Sequence, residues 1–185
     1  PHFLFNTLNS ISALIVTNRN EDAETMTDKL SSFLRSSLAC DPTQMVPPEN
    51  ELSLIEEYLD IEAVRFGVRL QVELDCAPEA GKALVPSFLV QPLVENAIKH
   101  GVAPSRDPVR VTVKARVSDG DLCITVANDS VPDQKCITGG RTGLGHDNIE
   151  RRLETVYGKA ASLTTAKDDD RYKGTNSIPQ IQRAD

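Results

Sequence analysis

The spacing of apolar residues first changes between Phe66 and Leu70, and that change restricts the folds open to this chain. Before it, apolar side chains recur three or four positions apart: Leu4, Leu8, Ile11 and Ile15, then Met26, Leu30, Phe33, Leu34 and Leu38, then Leu52, Ile55, Leu59 and Ala63. Such spacing lines one face of a helix. After it the spacing is two, in Leu70, Val72 and Leu74, in Val109, Val111, Val113 and Ala115, and in Leu122, Ile124 and Val126. Alternation of that kind marks strands with one buried face. Asp119-Gly120 between the last two runs predicts a tight hairpin. Another helix is predicted over 144–157, a strand over 161–167 and a last strand over 175–181. Strands that pair as hairpins with helices between them predict a two-layer α/β sandwich, helices on one face of a mixed sheet.

The segment boundaries have local causes. Thr17-Asn18-Arg19-Asn20 interrupts the first two helices, and Asn18 with Glu21 three residues on has the form of a capping box. Two helices with so short a link pack antiparallel. Their apolar stripe is then half covered, which predicts a second hairpin from another subunit. Pro47-Pro48 closes this part, and a third helix is expected over 49–66. On it, Glu51, Glu56, Glu57, Asp60 and Glu62 are expected to lie largely off the apolar face, and Gly67 to take a left-handed C-terminal position. Asp168-Asp169-Asp170 is expected to be a solvated turn.

Composition narrows the function. Aromatics are 4% with no Trp, so the core is built from Leu, Ile, Val and Ala. Twenty Lys and Arg against 27 Asp and Glu give −7, which excludes the electrostatic footprint of a general nucleic-acid binder. Cys40, Cys76, Cys123 and Cys136 form no CxxC and have no His at zinc spacing, the pattern of idle thiols in a reducing compartment. No apolar run approaches the ~20 residues needed to cross a bilayer. The chain opens Pro1-His2 without Met, so it is expected to be a piece of a longer protein.

Three segments carry chemistry. Within residues 89–101, Leu89, Leu93, Val94, Ala97 and Ile98 predict a buried helix face, while Gln91, Glu95, Asn96, Lys99 and His100 gather on the other. An amide oxygen is a hard ligand suited to Mg²⁺, and an ammonium neutralises phosphate; an ordinary amphipathic helix fits the same pattern. Pro92 fits if the helix begins near Gln91. The second segment, Arg141-Thr142-Gly143-Leu144-Gly145-His146, precedes a predicted helix, where glycines let backbone N–H groups approach an anion. The stretch 129–142 before it is either a lid over a ligand or a plain surface loop. Third, His2 and Asn6 are four apart and share a helix face.

Taken together, PHFLFNTLN at 1–9, YLDIEAVRF at 58–66, QPLVENAIKHG at 91–101 and GLGHDNIERRL at 143–153 closely resemble the LytS/YehU-type sensor histidine kinases. The resemblance implies an α+β chain, an N-terminal helical hairpin (1–47) followed by a two-layer sandwich of the Bergerat, GHKL-type fold that binds ATP (48–185). It implies that His2 is the phosphoacceptor and that Asn96 holds Mg²⁺ between the ATP phosphates. Glu95, Lys99 and His100 would be its metal-water, phosphate and ribose-side neighbours, with Glu95 counted among the catalytic groups. Asn128 falls where the family reads the adenine amine, with Asp129 the competing candidate. Thr142, Gly143, Leu144 and Gly145 fall beside the phosphates. The implied activity is autophosphorylation on His2 followed by transfer to an Asp of a response regulator, often a LytTR-type protein, by a homodimer joined through the hairpin. The implied location is the cytoplasmic face of the bacterial inner membrane, with any anchor upstream.

The sequence departs from the family at three places. The adenine box D-x-G-x-G reads Asn128-Asp129-Ser130-Val131-Pro132, without either glycine. Arg141 and His146 replace a glycine and a leucine of the phosphate-side run, and 175–181 is more polar than the family's last strand. Those departures keep open an alternative, a dimeric signalling scaffold that binds ATP weakly or not at all. A free-standing ATPase of the same superfamily fits less well, because the water-activating carboxylate one turn before the Asn is Pro92 here.

Overall fold

The computed structural model describes residues 2–129, 151, 153–158, 161–168 and 171–179. Helices α1 (His2–Val16) and α2 (Asn20–Ala39) form the expected antiparallel hairpin. Strand β1 (Met45–Val46) leads into α3 (Pro48–Phe66), followed by β2 (Leu70–Cys76), β3 (Val85–Pro86) and α4 (Gln91–Ala97). Then come β4 (Val109–Ser118), β5 (Asp121–Asp129), a helical stretch α5 at 153–157, β6 (Ser162–Asp168) and β7 (Arg171–Pro179).

Five strands make one mixed sheet in the order β2-β4-β5-β7-β6, with β2 parallel to β4 and the other pairs antiparallel. The β4–β5 hairpin turns at Asp119 (φ 53) and Gly120 (φ 87), both left-handed as a type I′ turn requires. Cross-strand pairs Val111↔Asn128, Val113↔Val126 and Ala115↔Ile124 make one row, and all six side chains are buried against the helical layer. On the opposite face, Lys114 meets Glu73 at 2.7 Å and Arg116 meets Asp75. These partners hold both exposed carboxyls below their ordinary values. β1 and β3 pair separately, tying the link after α2 to the segment that enters α4.

Several expectations are corrected. Asn18 does not cap α2. It takes φ 58, and Arg19 N–H donates to Leu14 O (2.9 Å) while Asn18 N–H donates to Ile15 O (3.0 Å). That pair of bonds is the Schellman ending of α1, for which Asn tolerates the left-handed well. The face of α1 that packs inward carries Thr7 and Leu14, while Leu4 (36%), Leu8 (49%) and Ile15 (54%) stay exposed. On α2, Leu38 is 85% exposed, whereas Met26, Leu30 and Phe33 are buried. Glu51 and Glu62 are buried (4% and 2%), not on the solvent side of α3. Gly67 has positive φ but ψ −132, outside the left-handed helical well. β7 begins at Arg171, four residues before the expected start, because it pairs along its length with both β5 and β6. Residues 169–170 of the acidic turn lie outside the described residues, as does the start of the helix expected from 144.

Candidate functional site

Segment 91–101 divides into two parts. Gln91–Ala97 is a regular helix with Pro92 in its first turn, and Val90 O accepts the first bonds from Leu93 N–H (3.0 Å) and Val94 N–H (3.3 Å). Proline lacks only an N–H that a first turn leaves unpaired anyway. Ile98–Val102 then widens into a π-turn, closed by Ala103 N–H on Ile98 O at 2.8 Å. Single π-turns inside helices recur at functional sites.

The buried face holds Leu93, Val94, Ala97 and Ile98 against β4 and β5, as the spacing predicted. Glu95 and Asn96 are half-buried on the other side, and Lys99 and His100 are exposed. Gln91 Nε2 donates to Glu95 Oε1 at 2.8 Å, which fixes that carboxylate along the helix. Asn128 ends the buried row of β5 at 5% exposed. Gly101 lies directly over it: a Cβ at Gly101 would be 2.4 Å from Asn128 Nδ2. Nδ2 donates to Asp129 O at 3.1 Å, which leaves Oδ1 as the atom able to accept an amine N–H. Strand alternation puts Asn128 in the row facing α4 and Asp129 in the opposite row.

Of the expected site residues, Glu95, Asn96, Lys99, His100 and Asn128 therefore share α4, its π-turn and the end of β5. Thr142, Gly143, Leu144 and Gly145 lie outside the described residues. His2 opens α1. Its neighbour Phe3 packs on Phe33 of α2 (ring centroids 5.4 Å) and Tyr58 of α3 (4.9 Å). The hairpin thus meets α3 through an aromatic trio beside the expected phosphoacceptor. Among the described residues, no group of three or more His, Cys, Asp or Glu could hold a metal, and no helix is long and apolar enough to cross a membrane.

Two buried carboxylates of α3 escaped the sequence reading. The signal was present: Glu51, Ile55, Tyr58 and Glu62 recur at helical spacing. Glu51 reaches the turn that enters α4. Glu62 accepts from Arg65 Nη1 at 3.3 Å. Burial pushes the Glu62 carboxyl above its ordinary value, Arg65 draws it part of the way back, and the charge of Glu95 adds to the rise. Burial and the same two carboxylates also raise the Tyr58 phenol. The folded state then holds the Glu62 proton more tightly than the unfolded chain, so ionisation destabilises the fold as pH rises above 4.5. Glu62→Gln is expected to melt a few degrees higher than the wild-type chain at pH 8, the gap closing toward pH 4.5. Melting curves across that range check it, and a gap that widens toward acid pH would contradict it.

The family profile described as histidine kinase matches residues 1–70. Sensor histidine kinase BtsS of Escherichia coli strain K12 is 35% identical over 172 residues, covering 93% of this chain and 30% of that protein. Sensor protein LytS of Staphylococcus saprophyticus is 35% identical over 189 residues, covering 97% and 32%. This chain thus spans about a third of the length of these curated relatives. Among solved structures, the histidine kinase domain of the blue-light activated histidine kinase of Erythrobacter litoralis EL346 superposes with a TM-score of 0.54 at 16% identity. That match covers 90% of this chain and 83% of that one, and it shows the shared α+β fold.

Proposed function

Because this chain belongs to the LytS/YehU-type sensor histidine kinases, we propose that it is the catalytic portion of one. In this reading it moves the γ-phosphate of ATP to His2 and then to an Asp of a response regulator. The observation that carries it is the seat of Gly101 on buried Asn128, which joins the polar face of α4 to an amide acceptor at the sheet end. Residues 1–47 serve as phosphoacceptor and dimerisation hairpin, and residues 48–185 as the ATP-binding part.

The donor set suits a nucleotide that brings its own metal. One amide oxygen from Asn96, with phosphates and water for the rest, matches the way Mg²⁺ keeps most of its water in nucleotide sites. When bound, Mg²⁺ neutralises charge on the phosphates. Lys99 adds a cation on the exposed turn, and Glu95, braced by Gln91, accepts from ordered water. Asn128 Oδ1 accepts from the adenine amine. An imidazole offers a ring nitrogen lone pair as nucleophile and needs no strong base, which suits His2 to the acceptor role. Phosphoryl transfer asks for little beyond positioning and charge neutralisation.

The exposed Leu4, Leu8, Ile15 and Leu38 support a homodimer in which two hairpins complete one bundle. A response regulator, in this reading of LytTR type, and a place on the cytoplasmic face of a membrane complete the proposal. The second reading, a scaffold that binds ATP weakly or not at all, is favoured by the missing glycines after Asn128 and by Arg141.

Calorimetry with ATP separates the two. The kinase reading expects binding that Mg²⁺ tightens, and Asn96→Ala is expected to lose about tenfold in affinity with Mg²⁺ and little without it. No binding by the wild-type chain favours the scaffold. Equal Mg²⁺ dependence in Asn96→Ala removes Asn96 from the metal role.

A further inference from the structure

The turn that enters α4 has a backbone its residues disfavour. Phe88 sits at φ 59, in the left-handed region that a side chain with a Cβ seldom adopts. Leu89 and Val90 are 0% exposed, so the amides around them need acceptors within the protein. Glu51, on the first turns of α3 and itself 4% exposed, supplies two. Its Oε1 accepts Phe88 N–H at 2.7 Å and its Oε2 accepts Val90 N–H at 3.2 Å. From the other side, Ser87 N–H and Ser87 Oγ both donate to Gln44 O at 3.0 Å.

What this clamp holds is the start of α4. Val90 O receives the first helical bonds, from Leu93 and Val94, and Asn96 follows along the same short helix. A helix moves as a unit, so a shift at Val90 is passed to Asn96, six residues or ~9 Å further on.

We propose that Glu51 is a positioning residue for the nucleotide site: it bonds the strained turn at 88–90 and so sets where α4 presents Asn96. This rests on α4 being the ATP site, but the clamp itself is testable without nucleotide.

Glu51→Gln preserves volume while placing an NH₂, which cannot accept, opposite one of the two amides. Well below its melting temperature the folded variant is expected to bind ATP·Mg²⁺ about tenfold more weakly than wild type. Its amide deuterium exchange should quicken at 88–97 and stay unchanged in β4 and β5. In an Asn96→Ala background the same change should add less than about twofold, because the two act through one contact. A purely structural role would lower the melting temperature and leave the affinity of the folded protein alone. Wild-type affinity in Glu51→Gln, or full additivity with Asn96→Ala, overturns the proposal. A wild-type chain that binds no ATP overturns the nucleotide reading of α4 instead. The exchange measurement still decides on Glu51, since unaltered exchange at 88–97 would show that it does not hold the turn. If Glu51→Gln does not fold, Glu51→Asp, which keeps the charge but withdraws it by one methylene, is expected to give the same pattern.

Discussion

Replacing His2 by Gln is expected to abolish phosphate incorporation from γ-labelled ATP, with no residual acid-labile, base-stable label. Gln has a similar reach and no ring nitrogen to form the phosphoramidate bond, so the loss should be complete. Positioning argues the same way. Transfer needs donor and acceptor held about 3–3.5 Å apart, and the residue next to His2 is one that α1 packs against its neighbours. Phe3 lies edge-on to Phe33, at an interplanar angle of 73°, and also touches Tyr58. The label is read before and after acid and alkali treatment of the phosphorylated protein. A dimeric, ATP-bound protein that takes no label on His2 would support the scaffold reading.

The parts of this architecture that rest on period were legible in the sequence. Two-residue alternation in β4 and β5 and the Asp119-Gly120 turn predicted the central hairpin that the structure shows. The three helices came from their apolar spacing. What was illegible depended on which of two possible faces packs. In α1, Leu4, Leu8, Ile11 and Ile15 make a good stripe by themselves, yet the core takes the face with Phe3, Thr7, Ile11 and Leu14 and leaves Leu4, Leu8 and Ile15 exposed. Apolar spacing marks a face that wants covering without saying whether this chain or another covers it.

The site divides in the same manner. Segment 91–101 announced both its faces, and Pro92 fixed the helix start correctly. The π-turn at 98–102 left no trace in hydrophobicity, because it changes hydrogen bonding rather than burial. Glu51 and Glu62 were missed because a carboxylate counts as solvent-facing until a partner is known. The partners of Glu51, the amides of 88 and 90, become visible only once α3 and α4 are side by side, whereas Glu62 has Arg65 three residues on in the same helix.

Gly101→Ala is expected to be the most damaging glycine-to-alanine change among the described residues. The new Cβ would fall 2.4 Å from Asn128 Nδ2, 2.9 Å from its Cγ and 3.4 Å from its Cβ. Real Cβ atoms do not approach so closely, so one of the two must move. Asn128 has little freedom to do so, being 5% exposed, bonded to Asp129 O and set in the buried row that continues into Val126 and Ile124. The π-turn would have to lift, and α4 is anchored on the sheet by Leu93, Val94 and Ala97. Overpacking of this kind costs roughly 1–3 kcal/mol, which should appear as a lowered melting temperature. If Asn128 reads adenine, the displacement also carries away the acceptor, and ATP affinity should fall by tenfold or more, about 1.4 kcal/mol per factor of ten. Gly120→Ala is the control. Gly120 has φ 87 and open space around it, so an alanine there strains the backbone by about 1–2 kcal/mol without touching α4. Both variants should melt earlier than wild type, but Gly101→Ala alone should lose nucleotide. A folded Gly101→Ala that binds ATP as wild type does would place the nucleotide away from Asn128.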